Sequence, residues 1–431
     1  MRTLKSLIAT FCLAMSFITT TACDSNNTLL PDAGTTTPST GNTGNKNEAI
    51  EFAKSMGVGW NLGNNLDAHI DGISIETGWG NPKATQKVFD AVKKAGFSTV
   101  RIPVTWIGHI DKAPSYRIEK AWLDRVAEVA GYAKKAGLKC IINIHHDGFG
   151  AETDPAKQGY FWLDLAAAAK DEKKNHEIQQ KLAMVWMQIA NRFQNEGEWL
   201  IFETMNEIQD GKWGSGANLT DGGQQYRVLN EWNQLCVDII RSTGGQNKTR
   251  YIGVPGYVCQ PGLTCDYLAI PEDETPNRIL VAVHMYDPWD YAGSGKYSEW
   301  GHTGKDVVPD HADEIVYVNT LNRLYNKFVR KGIPVYLGEY GCVHRNNTRA
   351  ENFRKYYIEY TIKAMRDRCI PMIWWDNGSK KAGDDGFGLM EHDDGKIIAN
   401  GAEIIKLMVD TWNNSDPNYT LQSIYNRAPA Q

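Results

Sequence analysis

The chain has 431 residues, 46 of them basic and 51 acidic, with 42% apolar residues. Loss of the first segment with Arg2 and Lys5 leaves 44 basic residues and a net charge near −7. That balance argues against a nucleic-acid partner and for a soluble body with a neutral or weakly polar ligand. Fourteen Trp and nineteen Tyr are many for this length; some serve the core, and a few fit the stacking of flat apolar sugar faces on rings.

Arg2 and Lys5 precede an apolar run from Leu7 to Ile18. It is too short to span a bilayer and has the form of a secretion signal. It ends at Thr20, Thr21, Ala22 and Cys23. A small residue before Cys23 resembles the bacterial lipoprotein processing site, where the cysteine becomes the acylated N-terminus. Thr20 stands where Leu is usual. From Asp24 to about Glu48 the chain is Thr, Asn, Ser, Gly and Pro with almost no apolar content, which reads as a flexible tether. The expected organisation is a signal peptide over 1–22, a tether over 23–48 and one body over 49–431. Lipid on Cys23 implies an exported protein anchored to a bacterial outer membrane, cell surface or periplasmic face, without spanning it. One chain working alone is the expected assembly.

Of eight cysteines, six remain without Cys12 and Cys23, and none has paired Cys-x-x-Cys spacing. A zinc site is therefore not expected. Cys259 and Cys265 flank one loop and are the pair best placed to bridge. Cys140 and Cys236 read as core thiols.

From about Asn47 to Asn413, short apolar runs alternate with helical patterns. The runs are Met56–Gly63, Thr99–Val104, Cys140–Ile144, Leu200–Thr204, Tyr251–Pro255, Leu280–Val283, Val335–Gly338 and Pro371–Trp374. Amphipathic helices are expected at Ala84–Ala95, Ala121–Ala136, His176–Phe193, Gln224–Ser242, Glu314–Arg330, Arg349–Arg368 and Ala402–Trp412. After the fifth run only a short piece, Asp266–Ala269, is marked. Eight near-continuous apolar strands alternating with helices predict an α/β fold, a (β/α)8 barrel in a single domain. A doubly wound sheet would want a glycine-rich turn after the first strand, but Gly57 and Gly59 lie inside it.

In such a barrel every strand delivers its last residues to one mouth. The first brings Trp60 to Ala68, the second Arg101 to Trp106, the third His145, His146 and Asp147. The fourth ends in Asn206 and Glu207, the sixth in His284 to Trp289, the seventh in Glu339, the eighth in Trp374 to Gly378. Seven of the eight strands thus finish in polar or aromatic side chains.

This pattern resembles glycoside hydrolase family 5, among the retaining barrel glycosidases. The matching pieces are Gly59, Asn61 and Gly63 with Asp67 and Ala68; Arg101, Ile102 and Pro103; His145; Asn206 and Glu207; His284 and Tyr286; Gly338 and Glu339; and Trp375. The segments 76–82 and Arg101–Trp106 look most like subfamily 4, whose members cut β-1,4-glucans including xyloglucan. Ile208 departs from the Pro, and Asn65 from the Thr, common at those places.

The resemblance implies Glu207 as general acid/base and Glu339 as nucleophile, with no cofactor and a β-glucan polysaccharide or oligosaccharide as partner. Elementary chemistry agrees: retention needs one protonated and one ionised carboxyl about 5 Å apart. Arg101 and Tyr286 are expected to hold Glu339 ionised, and Glu207 to be raised most by a nearby anionic Glu339. Asn206 would hold the sugar 2-hydroxyl. His145, His146 and His284 would bond the sugar or orient the carboxylates, and Trp375 would floor the site. Asn64 and Trp106 are expected to make flanking contacts.

The plainer readings stand beside these. His145, His146 and Asp147 suggest a metal cluster, but neighbours on a strand point to opposite faces, so no metal site is expected. Trp374 should be core. Glu203 reads as buried support, Trp289 and Trp300 as sugar platforms or packing, and Asp210, Asp384 and Asp385 as solvated loop charges. The rival functions are a β-mannanase or xylanase using the same pair, and a lipid-anchored barrel that binds glycan without cutting it.

Overall fold

A computed structural model describes residues 43–148, 159–310 and 313–430. The signal segment, Cys23 and the tether as far as residue 42 lie outside the described residues. Eight parallel strands close into a barrel: β1 (Val58–Asn61), β2 (Thr99–Ile102), β3 (Lys139–Asn143), β4 (Leu200–Glu203), β5 (Ile252–Pro255), β6 (Ile279–Met285), β7 (Val335–Tyr340) and β8 (Met372–Trp374). Each strand pairs with its chain neighbours, and β8 closes onto β1 through Val58–Met372, Gly59–Ile373 and Trp60–Trp374. The eight apolar runs are the eight strands. Their continuous apolar character follows from burial on both faces, inward against each other and outward against helices.

Ile141, Ile201, Leu280, Ala282, Tyr336 and Ile373 form one buried cluster inside the barrel. A far larger cluster joins the outer strand faces to the helices. Gly253 in β5 makes room for Tyr336, since a Cβ there would stand 2.3 Å from its hydroxyl.

The helices fall where the periodicity predicts them. They are α2 (Gln86–Lys94), α3 (Lys120–Ala136), α4 (Glu172–Arg192), α5 (Gln224–Ser242), α7 (Glu314–Lys327), α8 (Thr348–Arg366) and α9 (Gly401–Asn413). Asp171 caps α4 by accepting from Lys173 and Lys174 N–H, and Asn347 caps α8 by accepting from Ala350 N–H. The weakly marked piece after β5 is a seven-residue helix, α6 (Pro261–Tyr267).

Two departures matter. The expected tether ends in a helix, α1 (Thr43–Lys54). Ala49 and Ala53 are buried, and Phe52 stacks on Tyr251 at 3.6 Å. The spacing Ala49, Phe52, Ala53, Met56 is helical, but it is only two turns long inside a polar stretch. The helix and the two residues after it meet the amino ends of strands: Thr99 Oγ1 donates to Met56 O, Lys139 Nζ to Ser55 O, and Arg278 pairs with Glu48. So α1 covers the floor of the barrel. The second departure is a small hairpin, His69–Ile70 with Ile73–Ser74, in the loop after β1. The bridge between Cys259 and Cys265 does not form; both are free buried thiols, as are Cys140 and Cys236.

Candidate active site

The mouth is organised around Arg101, which is wholly buried at the end of β2. Its Nε and Nη2 donate to Glu203, with Nη2–Oε1 at 2.7 Å. Nη1 donates to Asn61 Oδ1 at 3.1 Å and Glu339 Oε1 at 2.9 Å, and Nη2 also to Asn206 Oδ1 at 2.7 Å. The guanidinium thus spends its fork on residues from β1, β4 and β7 at once. Glu203 further accepts from Asn143 Nδ2 at 2.8 Å and Tyr336 Oη at 2.6 Å. Burial alone would raise the Glu203 carboxyl; Arg101 brings it below its ordinary value instead. Glu203 is the buried support its position predicted.

Glu339 sits on a backbone irregularity. The pairing of β6 with β7 slips between Val283 and His284, and that of β7 with β8 slips beside it, so Gly338 is an extra residue in β7. Such bulges re-aim the side chain that follows. Gly338 O accepts from Asn61 Nδ2 at 2.9 Å, and a Cβ on Gly338 would stand 3.1 Å from His284 Nε2. Glu339 accepts from Arg101 Nη1 and from Tyr286 Oη at 3.0 Å.

Glu207 lies opposite. One oxygen of Glu207, one of Glu339 and a ring nitrogen of His284 lie within 4.8 Å of one another. His284 Nδ1 is 2.7 Å from Glu207 and 3.7 Å from Glu339. Burial lifts Glu207 to about 7, with Arg101 opposing and Glu203 reinforcing. Burial is the largest cause, where the sequence argument had put a nearby Glu339 anion first; the repulsion between the two carboxyls is felt at Glu339. Burial and the neighbouring Glu207 carboxyl raise Glu339, while His284 and the Arg101 guanidinium work against them. Two donors face Glu339, whereas among the described residues His284 alone is bonded to Glu207, so the proton belongs to Glu207.

The histidines are neutral. Burial holds His145 well below its ordinary value, His146 at about 3 and His284 at about 4. The tautomer of His145 follows from its neighbours. Asn143 Oδ1 accepts from Val104 N–H, so Asn143 Nδ2 is the donor to His145 Nδ1 at 3.1 Å. The His145 proton is then on Nε2, 3.9 Å from Glu339. His145 and His146 do not point apart, as strand alternation predicted; their rings meet edge to face at 4.3 Å. The reason is that β3 ends at Asn143, before either residue. Asp147 turns away to accept from Trp106 N–H and Trp162 Nε1, and Asp67 joins the histidines instead. This group is a poor metal set: both Asp67 oxygens already accept backbone N–H, from Asn65 and Asn64, and His145 has no free lone pair.

Trp375 packs with Val343, Phe387 and Tyr286, its indole parallel to the His145 ring at 6.0 Å. Trp374 is core, its Nε1 donating to Phe387 O. Trp106 is corrected: it is fully buried, its Nε1 donating to Asn143 O, and has no surface to offer a ligand. Arg101 likewise acts from beneath. Asn64 takes a left-handed turn (φ 59°) held by Asp67 and Asn81, at the rim and outside the Arg101 network. Asn206 is bound through Oδ1, leaving Nδ2 as its free end. Trp289 is exposed and meets Tyr286 edge-on at 5.7 Å, whereas Trp300 is buried packing. Asp384 and Asp385 are exposed; Asp210 instead accepts from Lys212 and Ala217 N–H and orders its loop.

Sequence reasoning passed over Asn143 and Tyr336, because inward positions on a strand read as core. It also passed over Trp79, which stands inside the segment 76–82. Trp79 is 42% exposed, its Nε1 donates to His69 O, and its ring lies 5.4 Å from that of His146.

A family model described as cellulase (glycosyl hydrolase family 5) matches residues 63–381. Endoglucanase A of Paenibacillus barcinonensis is 35% identical over 358 residues, 79% of this chain and 85% of that relative. Among solved structures, a native Bacteroidetes-affiliated GH5 cellulase linked with a polysaccharide utilization locus superposes with TM-score 0.88 at 62% identity, covering 90% of this chain and 99% of that one. A GH5-4 broad specificity endoglucanase from Bacteroides salanitronis gives TM-score 0.81 at 49% identity, over 85% and 95%.

Proposed function

Because the chain belongs to glycosyl hydrolase family 5, we infer that it is a retaining endo-β-1,4-glucanase acting on cellulose-type, xyloglucan or mixed-linkage chains. The observation that carries this reading is the carboxyl pair. Oxygens of Glu207 and Glu339 lie within 4.8 Å. Double displacement uses carboxyl groups about 5–5.5 Å apart, whereas inversion needs roughly 6.5–9.5 Å for a water between them.

The chemistry follows from the unequal environments. Glu339, ionised against Arg101 and Tyr286, attacks the anomeric carbon. Glu207 gives its proton to the glycosidic oxygen as that bond breaks, and the leaving chain departs as an alcohol. With Glu339 esterified, Glu207 takes a proton from water, the hydroxide displaces Glu339, and the configuration is retained. Asn206 Nδ2 holds the 2-hydroxyl, a contact that strengthens in the transition state. Trp375 floors the reacting sugar. The exposed indoles of Trp79, Trp213 and Trp289 suit a polymer lying across an open mouth; the broad specificity of a relative at 49% identity supports tolerance of more than one β-glucan.

Glu339→Ala is expected to abolish turnover, and Glu207→Ala to preserve some cleavage of substrates with good leaving groups. Equal loss on such substrates refutes these roles. A panel of cellulose, xyloglucan, mixed-linkage glucan, mannan and xylan tests the substrate class. Preference for mannan or xylan would favour the other hydrolases, and no release of reducing sugar by folded protein would favour a binding barrel. From residues 1–42 we also propose export and anchoring by lipid on Cys23, with one chain as the working unit.

A further inference from the structure

β4 ends at Glu203, and Thr204 N–H still reaches Gly253 O. Beyond it the chain leaves the sheet, and Asn206–Asp210, which carries Glu207, has no ladder to hold it. A neighbouring turn does. Tyr257, Val258 and Cys259 follow β5 as three consecutive buried residues. Each grips an alternate residue of the segment. Cys259 Sγ lies 3.7 Å from Asn206 O, Val258 N–H donates to Ile208 O at 3.1 Å, and Asp210 N–H donates to Tyr257 Oη at 3.1 Å. Tyr257 Oη is itself fixed, donating to Gln225 Oε1 at 2.9 Å.

This alignment requires an unusual backbone. Val258 (φ 49°) and Cys259 (φ 53°) are both left-handed, and neither is Gly, Asn or Asp. A β-branched residue there is a true outlier, and such conformations persist only where their surroundings enforce them. We propose that the Tyr257–Cys259 turn is the positioning device for Glu207, setting the proton donor over the glycosidic oxygen through the Asn206–Asp210 backbone. The three are positioning residues, buried and bonded to the segment that carries Glu207. The inference rests on Glu207 being the proton donor.

Positioning matters because general acid catalysis contributes about 10²–10⁴-fold, and a misplacement of about 1 Å can cost on the order of a hundredfold. The test is the double variant Tyr257→Phe, Cys259→Ala, with each single variant measured beside it in case the double does not fold. Substrates are an unactivated β-glucan oligosaccharide, whose leaving group needs a proton, and its dinitrophenyl glycoside, whose leaving group does not. The expected result, read in kcat/KM because that ratio reports glycosylation and not the later step in which Glu207 acts as base, is a fall of about tenfold or more on the first substrate and less than twofold on the second. Loss of equal size on both substrates, or on neither, overturns the proposal. Glu207→Ala is the reference. If it shows the selective loss and the turn variants do not, only the turn inference fails. If it loses both activities equally, the proton-donor assignment fails and takes this inference with it.

Discussion

Glu207 and Glu339 are the same residue type in the same mouth, and they differ in which groups donate to them. Rate requires Glu207 protonated and Glu339 ionised, so activity falls as pH rises through Glu207, about 7, and falls again at low pH as Glu339 takes a proton. Burial raises Glu339, which moves that acidic limb above the range of an exposed glutamate. Tyr286 donates only to the ionised form of Glu339. Tyr286→Phe removes that preference, raises the carboxyl further and is expected to shift the acidic limb of kcat/KM to higher pH, with the basic limb unmoved. The loss at the optimum should be about tenfold or more, as for other single donors to developing or resident charge. An acidic limb that stays in place would show that Tyr286 does not set the Glu339 charge. The residues named from sequence were those with chemistry at a strand end. Trp106 was misread because a strand end also carries outward side chains, and an indole has no mark that tells core from rim.

The strands and helices were legible because each obeys one period over its length, and burial on both faces leaves a barrel strand apolar throughout. What was not legible is where the period breaks. Gly338 reads as one more strand residue, yet it slips the register against both neighbours and turns Glu339 inward. A two-residue count from Val335 cannot reveal that. Gly338→Ala puts a Cβ 3.1 Å from His284 Nε2 and 3.5 Å from Arg101 Nε. Crowding of this kind costs about 1–3 kcal/mol, here spread over the residues that hold both carboxyls. The expected outcome is a folded protein, melting a few degrees lower, with kcat reduced by about tenfold or more. Wild-type kcat in that variant would mean the bulge is packing and not aim. The left-handed turn at Val258 and Cys259 escaped notice for the same reason: no residue there signals a positive φ.

The (β/α)8 fold of the whole molecule followed from counting alternations, and only its floor was missed. Among the described residues no helix is long and apolar enough to cross a membrane; the attachment we propose is the lipid at Cys23. Cys23→Ala in the full chain, expressed in an exporting bacterium, is expected to move the protein from the membrane fraction to the soluble one with specific activity unchanged. Continued membrane association would refute lipid anchoring.

Helix α1 gives that attachment a direction. Glu48, Phe52 and the two residues just past the helix meet the amino ends of strands, and the carboxyl pair is at the other end, so the described chain begins on the face opposite the cleft. If the proposed lipid on Cys23 holds the molecule from that face, the cleft faces the surrounding medium, where long insoluble or branched chains thread it without meeting the bilayer.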